Sequence, residues 1–144
     1  MTSDPSEIPD KTDLVVSHYI NNPLLINGFK FDLRVYVVIT SFNPLWVFIY
    51  NEGLARFATE KYDSKKCSVY QHLTNYSINK FNENFKVDQE EGGSKQTFAQ
   101  VKESLKSLGY DVNAIWGSIN DLILKTIISI DSITNSCIDM YVPY

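Results

Sequence analysis

From Phe29 to Ser41 the chain alternates: Phe31, Leu33, Val35, Val37 and Ile39 interleave with Lys30, Asp32, Arg34, Tyr36 and Val38. Successive side chains of a strand point to opposite faces, so this period predicts a long strand with one core face and constrains the fold more than any other feature. A strand needs partners, and the following residues offer them. Asn43-Pro44 interrupts, Leu45 to Tyr50 is a second β-rich run, and beyond Asn51-Glu52-Gly53 a third run extends from Leu54 to Thr59. A three-stranded antiparallel meander is expected. Upstream, Leu14 to Ile20 is rich in β-branched residues and ends at Asn21-Asn22-Pro23, which predicts one more short strand.

Beyond Lys61 the pattern changes. Residues 61–84 are rich in Asn, Ser, Lys and Tyr without sustained period and read mostly as loop, and Gly92-Gly93-Ser94 ends a charged connector. Thr97 and Gln100 have capping-box spacing, Phe98, Val101, Leu105 and Leu108 recur at helical intervals, and Gly109 is a natural stop, so a helix spans 97–108. Asp111 opens a longer stripe: Val112, Ile115, Trp116, Ile119, Leu122, Ile123, Thr126, Ile127 and Ile130 predict a core-facing helix over 112–130 with Trp116 buried. Strands followed by helices indicate an α+β fold, an antiparallel sheet with helices packed on it.

The remaining bounds exclude whole classes of function. The 144 residues suffice for one core, and an apolar content of 44% with 21% charged residues is that of an ordinary folded chain. A net charge of −4 argues against broad electrostatic binding to nucleic acid or an acidic membrane surface, and no apolar run is long enough to span a bilayer. Met1 to Asp13 form a polar, acidic segment, the opposite of a secretory signal, so an intracellular chain is expected. Cys67 and Cys137 lack metal-type spacing and read as free thiols.

Chemistry is carried by two groups of residues. Lys30, Asp32 and Arg34 emerge on one face of the long strand, and the bland reading is a solvated face of alternating charge. That face turns apolar at Tyr36 and Val38, as a pocket wall would, and Arg56 on the third run is flanked by Leu54 and Ala58, where a charge needs a partner or an anionic ligand. The second group is His72-Leu73-Thr74-Asn75-Tyr76-Ser77-Ile78-Asn79-Lys80, whose imidazole, hydroxyls, amides and ammonium would otherwise pass for an ordinary polar loop.

Four motifs occur together and in order: Tyr19-Ile20-x-x-Pro23-Leu24-Leu25-Ile26, Lys30-Phe31-Asp32-Leu33-Arg34-x-Tyr36-Val37, Gly53-Leu54-x-Arg56-Phe57-Ala58, and the run from His72 to Lys80. In this combination the chain, from about Val15 to Cys137, resembles the tubulin tyrosine ligase-like family, and Tyr76-Ser77-Ile78-Asn79-Lys80 and Gly93-Ser94-Lys95 are more similar to its polyglutamylase branch. The resemblance implies part of an ATP-grasp fold: a polar segment over 1–13, then a partial domain over 14–141 without its N-terminal lobe and C-terminal metal-binding strand. It implies ATP and Mg2+ as cofactors, with no metal ligand here, an acyl-phosphate intermediate, a free amino acid as donor (glutamate by the polyglutamylase branch, glycine or tyrosine being the alternatives) and tubulin as acceptor. A cytoplasmic, cytoskeletal or ciliary location follows, with no nucleic-acid or membrane partner.

By the same resemblance Ser17, His18, Tyr19 and Ile20 are a hinge whose backbone meets adenine. Lys30 and Asp32 approach ribose and phosphates, Arg34 and Arg56 stabilise the transferred phosphate, and His72, Thr74 and Asn75 line the cleft. Arg34, Arg56, Asp32, Lys30 and His72 should then converge on one concave surface. Departures are Ser17-His18 where many members carry Gln-Arg or Gln-Lys, Gln96 in place of a tryptophan, and an ending, Cys137 to Tyr144, that follows the family's carboxylate strand only loosely. The alternatives are a non-catalytic paralogue that binds nucleotide or tubulin, or an ATP-grasp ligase with another acceptor.

Overall fold

A computed structural model describes residues 4–10, 13–66, 68–85 and 93–139, with side chains as far as Ile130. Its regular elements are a 3-10 turn at Pro5–Glu7, strands β1 (Leu25–Ile26), β2 (Phe29–Phe42), β3 (Leu45–Phe57) and β4 (Lys95–Thr97), one-turn helices α1 (Val69–His72) and α2 (Tyr76–Asn79), and helices α3 (Phe98–Ser107) and α4 (Val112–Asp139). The strands lie in the order β1-β2-β3-β4. The fold is α+β, in agreement with the expectation.

The residues fall into two compact units. The first comprises Met1–Phe31 and Phe57–Phe85. Its β1 and the start of β2 form a tight hairpin with Ile26 opposite Phe29, and the connecting Asn27 and Gly28 have φ of 53° and 82°. Two successive positive φ values match the right-handed strand twist, and Asn-Gly is the dipeptide that adopts them most readily. This hairpin, not a strand at Leu14–Ile20, is what the segment before β2 builds. Residues 14–20 have no regular structure and are exposed except for Tyr19, because no strand among the described residues pairs with them. Ala58 N–H donates to the Lys30 carbonyl at 2.8 Å and Tyr62 N–H to that of Gly28 at 2.9 Å, tying the chain after β3 to the hairpin. Phe31 stacks on Phe57 with centroids 5.4 Å apart.

The second unit comprises Asp32–Arg56 and Lys86–Tyr144. The predicted register of β2 holds: Leu33, Val35, Val37 and Ile39 are half-buried, while Arg34, Tyr36, Val38 and Thr40 are exposed. The meander does not form. β2 and β3 are joined at Asn43-Pro44, whose peptide is cis, and β3 then runs unbroken through the supposed turn at Asn51-Glu52-Gly53. Gly53 is there for packing: a Cβ would collide with the Arg34 carbonyl and the Phe98 ring. The third partner is β4, antiparallel to β3 with Leu54 opposite Thr97 and Arg56 opposite Lys95.

Helix α3 starts and stops where expected. Gln100 N–H donates to Thr97 Oγ1 at 3.3 Å and Gln100 Oε1 accepts from Thr97 N–H at 2.8 Å, the reciprocal box. At the other end Gly109 takes φ 84°, with Gly109 N–H to Lys106 O and Tyr110 N–H to Leu105 O, both 3.0 Å, a Schellman closure. Phe98, Val101 and Leu105 are each no more than 1% exposed and form the centre of this unit's core. Asp111 Oδ1 accepts from Ala114 N–H at 3.0 Å and opens α4.

Two expectations for α4 fail. Trp116 is half-buried, set edge-on against Phe98 with centroids 5.7 Å apart. Only Ile127 of the stripe is buried, while Leu122 and Ile130 are exposed, so the helix is not core-facing along its length. The 28-residue α4 also carries Cys137-Ile138-Asp139 as helix where a loose strand match was read. The residues of Cys67 and of 140–144, and the Cys137 side chain, lie outside the described residues. Among the described residues no helix is long and apolar enough to cross a membrane.

Candidate functional site

In the second unit the face of β2 opposite the core carries Asp32, Arg34 and Tyr36. Arg56 joins them from β3 through a two-pronged bond: Nε donates to Asp32 Oδ1 at 3.1 Å and Nη2 to Oδ2 at 2.6 Å. Arg56 was expected to need a partner or an anion beside Leu54 and Ala58, and Asp32 is that partner. Its hydrogen bond to the carboxylate raises the Arg56 guanidinium above its ordinary value. The pair is partly exposed, 23% for the Arg56 side chain and 36% for Asp32, so its value is positional: it holds a planar cation rigid, and contributes on the order of 1 kcal/mol or less. Arg34, two residues along the same face from Asp32, is exposed, and its side chain has no ion-pair or hydrogen-bond partner among the described residues. Among the described residues the face therefore offers one guanidinium fixed by a carboxylate and one exposed guanidinium with no partner. Exposed aromatic side chains, Tyr36 on β2 and Trp46, Phe48 and Tyr50 on β3, extend it.

In the first unit Lys30, Tyr19 and His72 come together. Lys30 Nζ donates to Tyr19 Oη at 3.1 Å and to the His72 carbonyl at 2.8 Å, and Tyr19 Oη lies 2.8 Å from His72 Nδ1. Tyr62 packs edge-on against the imidazole at 5.0 Å and donates to the Asn21 carbonyl at 2.8 Å. Desolvation by burial raises the Tyr62 phenol above its usual range. Ser17, His18 and Ile20 project into solvent beside this cluster. The structure brings Lys30 to His72 in one unit, and in the other it pairs Asp32 with Arg56 on the strand face that also carries Arg34.

Thr74 is half-buried and Asn75 exposed at the turn between α1 and α2. What shapes that turn is Asn79, part of the polar run but given no role from the sequence. Its amide is 1% exposed and fully used. Oδ1 accepts from Thr59 N–H at 3.1 Å and Thr59 Oγ1 at 2.8 Å, and Nδ2 donates to the carbonyls of Leu73 at 2.8 Å and Asn75 at 3.1 Å. Asn79→Ala would strand these partners in the interior, and the expected loss is about 3 kcal/mol by urea unfolding of the chain. A loss under about 1 kcal/mol would show that water replaces the amide. Its sequence signal was an Asn four residues beyond Asn75, too common in loops to single out.

An antiparallel sheet with packed helices, bearing a paired and an exposed guanidinium on its outer face, agrees with part of an ATP-grasp domain. The chain belongs to the tubulin-tyrosine ligase family, whose model matches residues 1–142. It is 48% identical over 133 residues to mouse tubulin polyglutamylase TTLL6, covering 90% of this chain and 16% of that protein. Against Xenopus tropicalis tubulin polyglutamylase TTLL7 the identity is 42% over 133 residues, covering 89% and 15%. Against mouse tubulin polyglutamylase TTLL5 it is 40% over 151 residues, covering 100% and 11%. The chain thus spans about a sixth or less of the length of these relatives.

Proposed function

We propose that these residues form the nucleotide- and phosphate-facing part of an ATP-dependent ligase that adds glutamate to tubulin tails. The observation that carries the reading is Arg34, an exposed guanidinium with no partner among the described residues, on the strand face where Asp32 immobilises Arg56. Two such cations favour an anion that gains charge as it reacts, such as a phosphoryl group passing to a carboxylate. In this reading the backbone of Ser17 to Ile20 meets adenine, Lys30 and Asp32 serve ribose and phosphates, and Thr74 and Asn75 contact nucleotide or the incoming amino acid. The polyglutamylase relatives fit tubulin and ATP as partners, free glutamate as donor, and a site of action in the cytoplasm on the cytoskeleton, including cilia. Magnesium, which ligases of this kind use to neutralise phosphate charge, finds no holder here: among the described residues no three His, Cys, Asp or Glu side chains are grouped to bind a metal, and Asp32 is engaged by Arg56.

The test replaces the matching segment of mouse TTLL6 with this chain and measures radiolabelled glutamate incorporation into tubulin. Activity within about tenfold of the parent supports the reading. A folded but inert chimera favours the non-catalytic module, which the prior engagement of Arg56 by Asp32 would also suit.

A further inference from the structure

Both ring nitrogens of His72 are committed inside the protein. The residue is 5% exposed; Nε2 lies 2.5 Å from the Lys66 carbonyl and Nδ1 2.8 Å from Tyr19 Oη. A carbonyl only accepts, so Nε2 must carry the hydrogen. In the neutral imidazole Nδ1 then presents its lone pair, and the Tyr19 hydroxyl donates to it. The remaining lone pairs of Tyr19 accept from Lys30 Nζ at 3.1 Å, and a second Lys30 N–H returns to the His72 carbonyl at 2.8 Å. The three residues close a ring in which every donor has one direction. The Nδ1–H tautomer would set a lone pair against the Lys66 carbonyl. Tyr19 and Tyr62 cover the imidazole edge-on, with centroids at 5.6 and 5.0 Å.

We propose that His72 is a positioning residue: its imidazole orients Tyr19 and, with its own carbonyl, aims Lys30, and it does not itself touch a ligand. Tyr19 is the one half-buried side chain in the exposed stretch from Asp13 to Ile20, so this bond anchors a segment that has no strand to hold it. One Lys30 hydrogen is left for an anion, and its direction is set by the two bonds that His72 and Tyr19 hold. The consequence for nucleotide rests on the functional reading above; the hydrogen-bond ring does not.

The test uses 15N-histidine labelling of the 144-residue chain, which has only His18 as a second histidine. His72, assigned with a His18→Asn variant, is expected in the Nε2–H form with a hydrogen-bonded Nδ1, and Tyr19→Phe is expected to shift Nδ1 while leaving Nε2 in place. An Nδ1–H tautomer, or a Tyr19→Phe variant that leaves Nδ1 unmoved, overturns the proposal whatever ATP does. In the TTLL6 chimera, Tyr19→Phe and His72→Gln should each raise KM for ATP roughly 3- to 10-fold, the worth of one neutral hydrogen bond, and the double variant should be no worse than either. Multiplying effects would show that His72 meets nucleotide directly and would sink the idea. A wild-type chimera with no ATP-dependent activity but an intact Nε2–H signature would retire the nucleotide reading and support the positioning of Tyr19.

Discussion

Arg34→Ala, placed in the TTLL6 chimera, is expected to lower glutamate incorporation by roughly two to three orders of magnitude, the usual cost of removing one preorganised donor from a developing anion. Stability should hardly change. The side chain is exposed and has no partner among the described residues, so its loss should fall within about 0.5 kcal/mol in urea unfolding. That split separates a chemical from a structural role. Arg34→Lys should recover little, because an ammonium cannot present two parallel N–H groups to a phosphoryl edge. Arg56→Ala is expected to behave differently: it frees the Asp32 carboxylate on the same face, so it lowers activity through misplaced negative charge as well as a lost cation. Asp32→Asn in the Arg56→Ala background should therefore restore part of the lost activity. If Arg34→Ala retains activity within fivefold of the unmodified chimera, the solvated-face reading of this strand wins.

Much of this face was legible because alternation is a local property. The period of 29–41 placed Leu33 and Val35 inside and Arg34 outside, and the structure keeps that register over residues 33–40. The capping box and glycine stop of α3 were equally local, since Thr97, Gln100 and Gly109 act on backbone groups three to five residues away. Failures came where a distant partner decided. Asn51-Glu52-Gly53 has turn composition, but Gly53 answers to Phe98, forty-five positions later by residue number. Leu14–Ile20 has strand composition, but composition supplies no pairing edge, and the segment hangs from Tyr19. The Asn27-Gly28 dipeptide is a local hairpin signal, and the hairpin it marks pairs Ile26 with Phe29. Asp32 was read as a nucleotide contact and Arg56 as a phosphate contact, and the structure adds that each holds the other.

The strongest effect on the fold is expected at Gly53. A Cβ there would sit inside the contact distance of the Arg34 carbonyl oxygen and of Cζ and Cε2 of Phe98. The ring is 1% exposed and locked by the core of α3, so neither it nor the strand carbonyl can retreat cheaply. Gly53→Ala should therefore cost about 3 kcal/mol, at the upper end of overpacking, in a urea titration of the chain. Truncating the ring should relieve only part of this, because Gly53→Ala/Phe98→Leu still drives a methyl against backbone. Gly117→Ala supplies the opposite sign: that glycine lies on exposed α4 with nothing within 4 Å of its would-be Cβ, and alanine there should stabilise by roughly 0.5 to 1 kcal/mol. The two substitutions add the same methyl, so a difference of at least 3 kcal/mol between them isolates the close approach of β3 to its neighbours. Equal effects would mean that β3 bends at Gly53 after all. The carbonyl that Gly53 crowds belongs to Arg34, so displacing β3 also displaces the residue that the phosphate reading depends on, and any folded Gly53→Ala chimera should lose activity beyond what its lost stability explains.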